Sequence, residues 1–285
     1  MSRVDGSAAG ALSAGPALGD WKRAALPLAL MMAAPAIAED GDPRFCPSRP
    51  SLGSSACTTK PGEVQLEVSA VDWQRDRSGA GRDTSTNFGD FLARVGVGPS
   101  TEIQIGWIPY GRDQMVDEPG GAVQRTHGIG DVSLGFRQNL RNPDGKGLSF
   151  GIEGAVTLPT GHGAIGGGDW AASIDVPISY QVSDFLSLSL TTEADAAVDQ
   201  DRSGRHFAGD MIATASLHPV KRVTLYTEAE VVRDQDPSGH TTQVFAGEGL
   251  AVKASKRISL WAETVAGLNA QSPDVRTYTG FTILF

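Results

Sequence analysis

From Glu63 onward, the chain repeats one pattern: segments of about ten residues in which apolar side chains alternate with small or polar ones. Turn residues separate these segments. Successive side chains of a β-strand point to opposite faces, so each segment has one apolar face and one polar face. This pattern is typical of a transmembrane β-barrel. We therefore predict an all-β fold, a single closed antiparallel transmembrane β-barrel of about 12 strands, at residues 63–73, 85–97, 101–110, 128–140, 148–159, 169–181, 185–198, 207–218, 223–233, 241–252, 258–268 and 275–285.

The charged residues of these segments fall on the polar face. A charge that faces lipid at the midplane costs about 2–4 kcal/mol, whereas a charge that faces the lumen stays near water. The tenth segment is ambiguous by apolarity, and placing Glu248 inside sets its phase. The predicted lumen-lining residues are Asp131, Arg137, Glu153, Asp175, Glu193, Asp195, Asp210, Glu228, Glu230, Glu248, Glu263 and Arg276, together with Glu63, Glu67, Asp90, Arg94 and Glu102. Acidic residues dominate this set, and rings of acidic side chains favour cations in pores.

The predicted connections alternate between short turns and longer polar loops at 74–84, 111–127, 160–168 and 199–206. Outer-membrane barrels have short periplasmic turns and longer extracellular loops. An even number of strands then places both ends of the barrel on the periplasmic side. The final Phe281–Phe285 segment is apolar at alternate positions and ends in an aromatic residue. It resembles the C-terminal signal that barrel-insertion machinery recognises.

The N-terminal residues have the features of an export signal. Positive charge at Lys22 and Arg23 precedes the apolar stretch 24–34, and small residues follow at Ala36 and Ala38. We predict a signal peptide over 1–38, cleaved after Ala38, in which the long 1–20 lead is compatible with a misassigned start. Residues 39–62 then form a periplasmic lead-in, and 63–285 form the barrel.

The two cysteines of the chain, Cys46 and Cys57, both lie in this Pro/Ser/Gly-rich lead-in. Export permits a disulfide. We expect a Cys46–Cys57 bond that closes the loop, and the alternative is two free thiols.

Other classes of function are less well supported. The net charge of −9 argues against a nucleic-acid partner. Ser203 and His206 lie close in sequence, but this pairing is too common to indicate a catalytic triad, and we predict no catalytic residue. His162, His206 and His240 lie in predicted extracellular segments, where they could converge with Asp169, Asp201 or Asp236. Solvated loop residues are the default interpretation, so we predict no metal and no cofactor.

Three motifs resemble one known family, that of the MetA pathway of phenol degradation, whose members are outer-membrane transporters. The motifs are the lead-in that starts at Cys46-Pro47-Ser48-Arg49-Pro50, the strand opening Gly128-Ile129-Gly130-Asp131 and the strand end Leu158-Pro159-Thr160-Gly161. The resemblance extends from about Cys46 to Phe285 and implies a barrel that takes up small compounds, aromatic ones among them.

We therefore predict an outer-membrane channel of a Gram-negative cell that passes small solutes by passive diffusion, with a preference for cations. Its expected partners are outer-membrane lipids and lipopolysaccharide, the barrel-insertion machinery and small solutes. The alternative functions are a non-conducting structural or ligand-binding barrel and a hydrolase active at the outer rim. The alternative fold is an exported β-sandwich or lipocalin-like barrel, which would bury its apolar face inward.

Overall fold

The fold is taken from a computed structural model that describes residues 42–78, 81–117, 121–163 and 165–285. The predicted signal peptide at 1–38 lies outside the described residues. Within the described part of the chain, no helix is long and apolar enough to cross a membrane.

The described residues form one antiparallel sheet of fourteen strand segments. The segments are β1 (Val64–Ser78), β2 (Gly81–Gly98), β3 (Thr101–Trp107), β4 (Tyr110–Asp117), β5 (Val123–Gly128), β6 (Val132–Arg141), β7 (Leu148–Leu158), β8 (Ala171–Gln181), β9 (Leu186–Val198), β10 (Arg205–Val220), β11 (Val223–Asp236), β12 (Gly239–Lys253), β13 (Ile258–Gly267) and β14 (Val275–Leu284).

The sheet closes on itself and forms a 12-strand barrel. β1 pairs with β14 on one side and with β2 on the other, so no edge remains open at this point. β3 and β4 both pair with β2 and act as one strand interrupted at Ile108 and Pro109, where proline lacks an amide hydrogen for the ladder. β5 and β6 are likewise two parts of one strand. The predicted closed barrel is confirmed, in agreement with the rule that a sheet in lipid must leave no edge unpaired.

Short turns join the strands at one end of the barrel, which we call the turn end. Longer hairpins join them at the opposite end, which we call the hairpin end. The prediction of loops at 74–84 and 111–127 is wrong in its boundaries. β1 and β2 stay paired as far as Ser78 and Gly81, and β4 and β5 form a further hairpin. We attribute the difference to water on both faces of these extensions. The backbone hydrogen bonds between the strands continue there, but neither face has to be apolar, so the sequence pattern that marks a strand is missing.

The polarity of the wall is the reverse of that in a soluble barrel. Large apolar side chains are exposed on the outer surface, as in Ile174, which is 59% exposed, and Phe136, which is 49% exposed. Inside, the buried side chains include many charged and polar ones, such as Gln65, Glu67 and Arg94, all at 0% exposure. Only a surrounding apolar medium makes this arrangement favourable, and the soluble alternative is therefore ruled out.

Candidate functional site: the interior of the barrel

The lead-in, described from Asp42 to Gly62, enters the barrel from the turn end. It carries the predicted Cys46–Cys57 disulfide. The Cys46 amide donates to the Gln65 side chain of β1 (3.0 Å), and the Gln65 amide group donates back to the Cys46 carbonyl (3.0 Å). The sequence offered no basis for deciding whether this segment fills the lumen.

At the turn end itself, the start of the lead-in is tied to the rim. The Lys256 ammonium donates to the Asp42 carboxylate at 2.6 Å. This hydrogen bond and the charge of Lys256 lower the pKa of the Asp42 carboxyl. The Arg44 guanidinium donates to the Pro99 carbonyl of the β2–β3 turn at 3.0 Å.

One fully buried arginine of β2 holds both ends of the disulfide loop. The Arg94 guanidinium donates to the Cys46 carbonyl and, at 2.9 Å, to the Cys57 carbonyl. It also forms ion pairs with Glu67 (3.0 Å) and Glu102 (2.8 Å). Each of these carboxylates in turn accepts hydrogen bonds from backbone amides of the lead-in. Buried charges of both signs are therefore used to dock the lead-in on the wall.

Further along, the lead-in crosses to distant strands of the barrel. The Leu52 amide and the Ser51 hydroxyl donate to Glu228 of β11, at 2.8 and 2.5 Å. The Tyr278 hydroxyl of β14 donates to the Pro50 carbonyl at 2.7 Å. The lead-in is therefore a constriction within the lumen.

A row of charged residues runs across six neighbouring strands on the inner face, which we call the charged row. Each member is the direct cross-strand partner of the next. The row consists of Glu102 (β3), Arg137 (β6), Glu153 (β7), Asp175 (β8), Glu193 (β9) and Asp210 (β10).

The two ends of the charged row differ in charge balance. Arg137 pairs with Glu102 (3.3 Å) and Glu153 (2.5 Å), next to the lead-in. Beyond Glu153 the acids continue without such cations. Among the described residues, a set of carboxylates lacks any Lys or Arg nitrogen within 4.0 Å, and we call this set the unpaired acids: Asp175, Glu193, Asp195, Asp210, Glu228, Glu230 and Glu263.

Arg276 of β14 forms an ion pair with Asp72 of β1 at 2.7 Å. Next to this ion pair is a cavity of about 300 Å³, which Leu52 of the lead-in helps to line. Phe245 and Val265 contribute apolar surface to the cavity, while Arg276 and Glu230 contribute opposite charges. Its volume lies at the lower end of the range found for small-ligand pockets, about 300–1,000 Å³.

The structure places Glu248 outside, so the predicted phase of this strand requires correction. Glu248 is exposed on the same face as Leu250, and its carboxylate accepts from the Thr227 hydroxyl at 3.1 Å. The inner positions are Gly247 and Gly249, where a Cβ would lie 2.7 and 3.0 Å from the Glu263 carboxylate oxygens. Glycine is needed at both positions to make room for Glu263. Because glycine has no side chain, these positions do not show the alternation of apolar and polar residues from which the phase of a strand is predicted.

Asp131, another predicted lumen residue, has a local structural role at the hairpin end. Its carboxylate oxygens accept from the Gly161 amide (2.6 Å) and the Gly167 amide (2.7 Å), which fixes the β7–β8 connection. The remaining predicted charges lie on the inner face. What the sequence analysis missed is the part played by the lead-in itself, whose partners lie up to 228 residues away along the chain.

A closed barrel that is apolar outside and charged inside defines the class of outer-membrane β-barrel proteins. Within that class, the chain belongs to the family described as "Putative MetA-pathway of phenol degradation", whose model matches residues 48–285. The resemblance inferred from the motifs is thereby confirmed. No curated protein sequence matches the chain.

Solved structures share the fold at low sequence identity. An outer-membrane channel from Pseudomonas putida F1 has a TM-score of 0.61 at 12% identity, over 78% of this chain and 95% of that one. The transport unit of the autotransporter AIDA-I from Escherichia coli has a TM-score of 0.53 at 11% identity, over 78% and 89%. The β domain of the Bordetella autotransporter BrkA has a TM-score of 0.51 at 13% identity, over 78% and 99%. At these identities the likeness shows the fold alone.

Proposed function

We propose that the protein is an outer-membrane channel that passes small solutes by passive diffusion and prefers cations. The observation that carries the proposal is the cluster of unpaired acids on the inner face, including Asp175, Glu193 and Asp210 in direct register. Carboxylates that have no arginine or lysine partner leave a negative potential in a narrow polar passage. Such a potential raises the local concentration of cations and repels anions.

The lead-in sets the width of the passage in this proposal. Its docked segment narrows the lumen at the turn end, while the hairpin end above Leu52 contains the 300 Å³ cavity. A solute would meet the unpaired acids before it reaches the lead-in. Diffusion then depends on the space left beside the lead-in or on its transient release.

The lining of the cavity supports a proposal for the class of solute. Phe245, Val265 and Leu52 offer apolar contact, and Glu230 and Arg276 offer one charge of each sign. We propose small amphipathic solutes, including the aromatic compounds suggested by the family, as ligands that enter this cavity. Reversible block of the current by such a solute, and its loss in Phe245→Ala, would support this assignment. Block that is equal in the wild type and in Phe245→Ala would overturn it.

The route to the membrane is also a proposal. We propose that the signal peptide 1–38 is cleaved after Ala38, that 39–62 acts as the lead-in and that 63–285 inserts as the barrel. The C-terminal strand with Phe285 would then be read by the insertion machinery, and lipids and lipopolysaccharide would surround the apolar wall.

The test is the ion selectivity of the refolded protein in a planar bilayer under a KCl gradient. We expect a reversal potential that favours cations. In the variant Asp175→Asn/Glu193→Gln/Asp210→Asn, we expect the cation-to-anion permeability ratio to fall by about two-fold or more. Glu248→Gln is the matched control, because it removes one carboxylate from the outer face and should leave the ratio unchanged. A preference for anions, or equal ratios in the wild type and the triple variant, would contradict the proposal.

A second candidate is a non-conducting barrel that binds its ligand at the cell surface. The observation that favours it is the lead-in, which bonds to walls on several sides, at Gln65, Glu228 and Tyr278. A silent bilayer from protein whose folding is shown by heat-modifiable gel mobility would favour this candidate.

A further inference from the structure

A second cluster of titratable side chains lies at the hairpin end, beyond the unpaired acids. It consists of Asp199, which follows β9, His206 at the start of β10, and Asp234 and Asp236 at the end of β11. The residues come from two adjacent hairpins, and they share the inner face. His206 is the central residue, and only 5% of its side chain is exposed.

Both nitrogens of the His206 ring are directed at carboxylates. Nδ1 lies 2.9 Å from Asp199 Oδ1 and 3.5 Å from Asp236 Oδ2. Nε2 lies 3.2 Å from Asp234 Oδ1, yet this buried nitrogen forms no hydrogen bond of acceptable geometry within the described residues. One histidine nitrogen and two carboxylate oxygens thus converge on one side of the ring, and one carboxylate faces the other side.

We propose that Asp199, His206 and Asp236 bind a divalent first-row transition-metal ion such as Zn²⁺. One ligand atom from each of the three residues lies within 4.8 Å of the others. Bonds of about 2.0–2.2 Å at tetrahedral angles separate neighbouring ligand atoms by about 3.3–3.5 Å. The two separations of 2.9 and 3.5 Å from Nδ1 lie near this value, so small rotations of the side chains complete the site.

Asp234 has a positioning role in this site. A metal-binding histidine usually donates its other N–H to a carboxylate, which fixes the tautomer and the orientation of the ring. Without an ion, Nδ1 is in hydrogen-bond contact with Asp199 Oδ1 at 2.9 Å. Binding of the ion through Nδ1 requires the tautomer with its proton on Nε2, and a small rotation of the ring would then align this N–H with Asp234 Oδ1, 3.2 Å away. An imidazole ligand favours zinc and its neighbours, whereas magnesium and calcium prefer oxygen ligands alone. An isolated group of surface acids would not have a buried imidazole between one carboxylate on the Nε2 side and two carboxylates on the Nδ1 side.

The position suggests what a bound ion would do. Asp199 and His206 flank the β9–β10 hairpin, and Asp236 begins the turn of the β11–β12 hairpin. An ion held by all three would join the two hairpins and add a positive charge at the mouth. The site is independent of conduction, because it requires only that the hairpins fold.

The test uses metal-free refolded protein in detergent, titrated with Co²⁺, whose visible absorption reports tetrahedral or five-coordinate binding. We expect about one Co²⁺ per chain, displaced by Zn²⁺, and an affinity at least about ten-fold lower in His206→Ala. His240→Ala is the matched control, since His240 lies on the adjacent hairpin but outside the cluster, and it should bind as the wild type does.

Heat-modifiable gel mobility shows that each variant has folded. Asp199→Asn provides a second, milder variant, which should also weaken binding, and it replaces His206→Ala if that variant does not fold. Equal Co²⁺ binding in the wild type and the tested variant, or a wild type without the absorption band, would overturn the proposal. In the second case His206 and its aspartates form an ion-pair cluster only. A silent bilayer alone would leave the metal site standing and would count only against the channel.

Discussion

Replacing Arg94 with methionine should release the lead-in from the lumen. Methionine keeps much of the volume of the arginine but removes its charge and its donors. The guanidinium donates to two lead-in carbonyls, those of Cys46 and Cys57, and each hydrogen bond to a charged group contributes about 1.5–3 kcal/mol. The change also leaves Glu67 buried without its cation.

Breaking one partner of a buried ion pair costs about 3–5 kcal/mol, and we take this range for Arg94→Met because it overlaps the hydrogen-bond estimate. If the whole cost falls on the docked state, the ratio of docked to released lead-in falls roughly a hundred- to a few-thousand-fold, at about 1.4 kcal/mol per factor of ten. The barrel itself should persist, since its backbone ladder is unaffected.

The assay is limited chymotrypsin digestion of the folded protein, in which cleavage after Phe45 and Leu52 of the lead-in is followed. Trypsin is unsuitable, because Arg49 and Lys60 of the lead-in are each followed by proline. Cleavage at these two sites should be slow in the wild type and much faster in Arg94→Met, and single-channel conductance should rise in parallel. Arg233→Ala is the control, because this exposed arginine forms its hydrogen bonds within the described residues to Thr241 and Thr242, away from the lead-in. If Arg94→Met is digested at the wild-type rate and conducts as the wild type does, the docking argument is refuted.

Three further changes test other parts of the structure. Gly96→Ala places a Cβ 1.9 Å from the Lys60 carbonyl oxygen, so chymotrypsin should digest the lead-in faster while heat-modifiable mobility is kept. An unchanged digestion rate would contradict the close approach. Cys46→Ser opens the disulfide loop, so the released lead-in gains conformational entropy, and docking should weaken by about 2–3 kcal/mol. The same digestion, compared with that of the oxidised wild type, measures this loss. Ile174→Arg on the outer face should lower the free energy of unfolding in lipid vesicles by about 2–4 kcal/mol. The control Ser173→Arg, on the inner face, should lower it by much less. Equal losses would show that the faces are assigned wrongly.

The barrel was predictable from sequence because lipid imposes a strict polarity on each strand. Outer positions such as Ile103, Ile105 and Phe136 have no alternative to an apolar side chain, so they mark both the strand and its phase. Where lipid no longer constrains the chain, the signal fades. The β4–β5 hairpin extends beyond the apolar wall and was therefore read as a loop.

Local irregularities also escape a pattern of strict alternation. In β1 the pairing register shifts between Ser69 and Val71, which moves Asp72 to the inside and Trp73 to the outside. A strict period of two, continued from Gln65 and Glu67, would instead place Trp73 on the inner face. In β12 the glycines opposite Glu263 leave no apolar side chain by which to judge the phase.

The sequence predicted the inward charges of the candidate site but not the groups that neutralise them. Each inward charge is visible in its own strand, but the neutralising partners lie on other strands and on the lead-in. The lead-in shows no regular alternation of apolar and polar residues by which its position could be predicted. Its contacts, such as Ser51 with Glu228, join residues far apart in sequence. The balance between paired and unpaired acids therefore appears only once the barrel is closed around the lead-in.

The central claim is that a barrel with unpaired acids on its inner face conducts and selects cations. The most direct measurement is the sign of the reversal potential of the wild-type protein in a planar bilayer under a KCl gradient. The account predicts discrete current steps with a reversal potential that favours potassium over chloride. Steps with a reversal potential that favours chloride would contradict it.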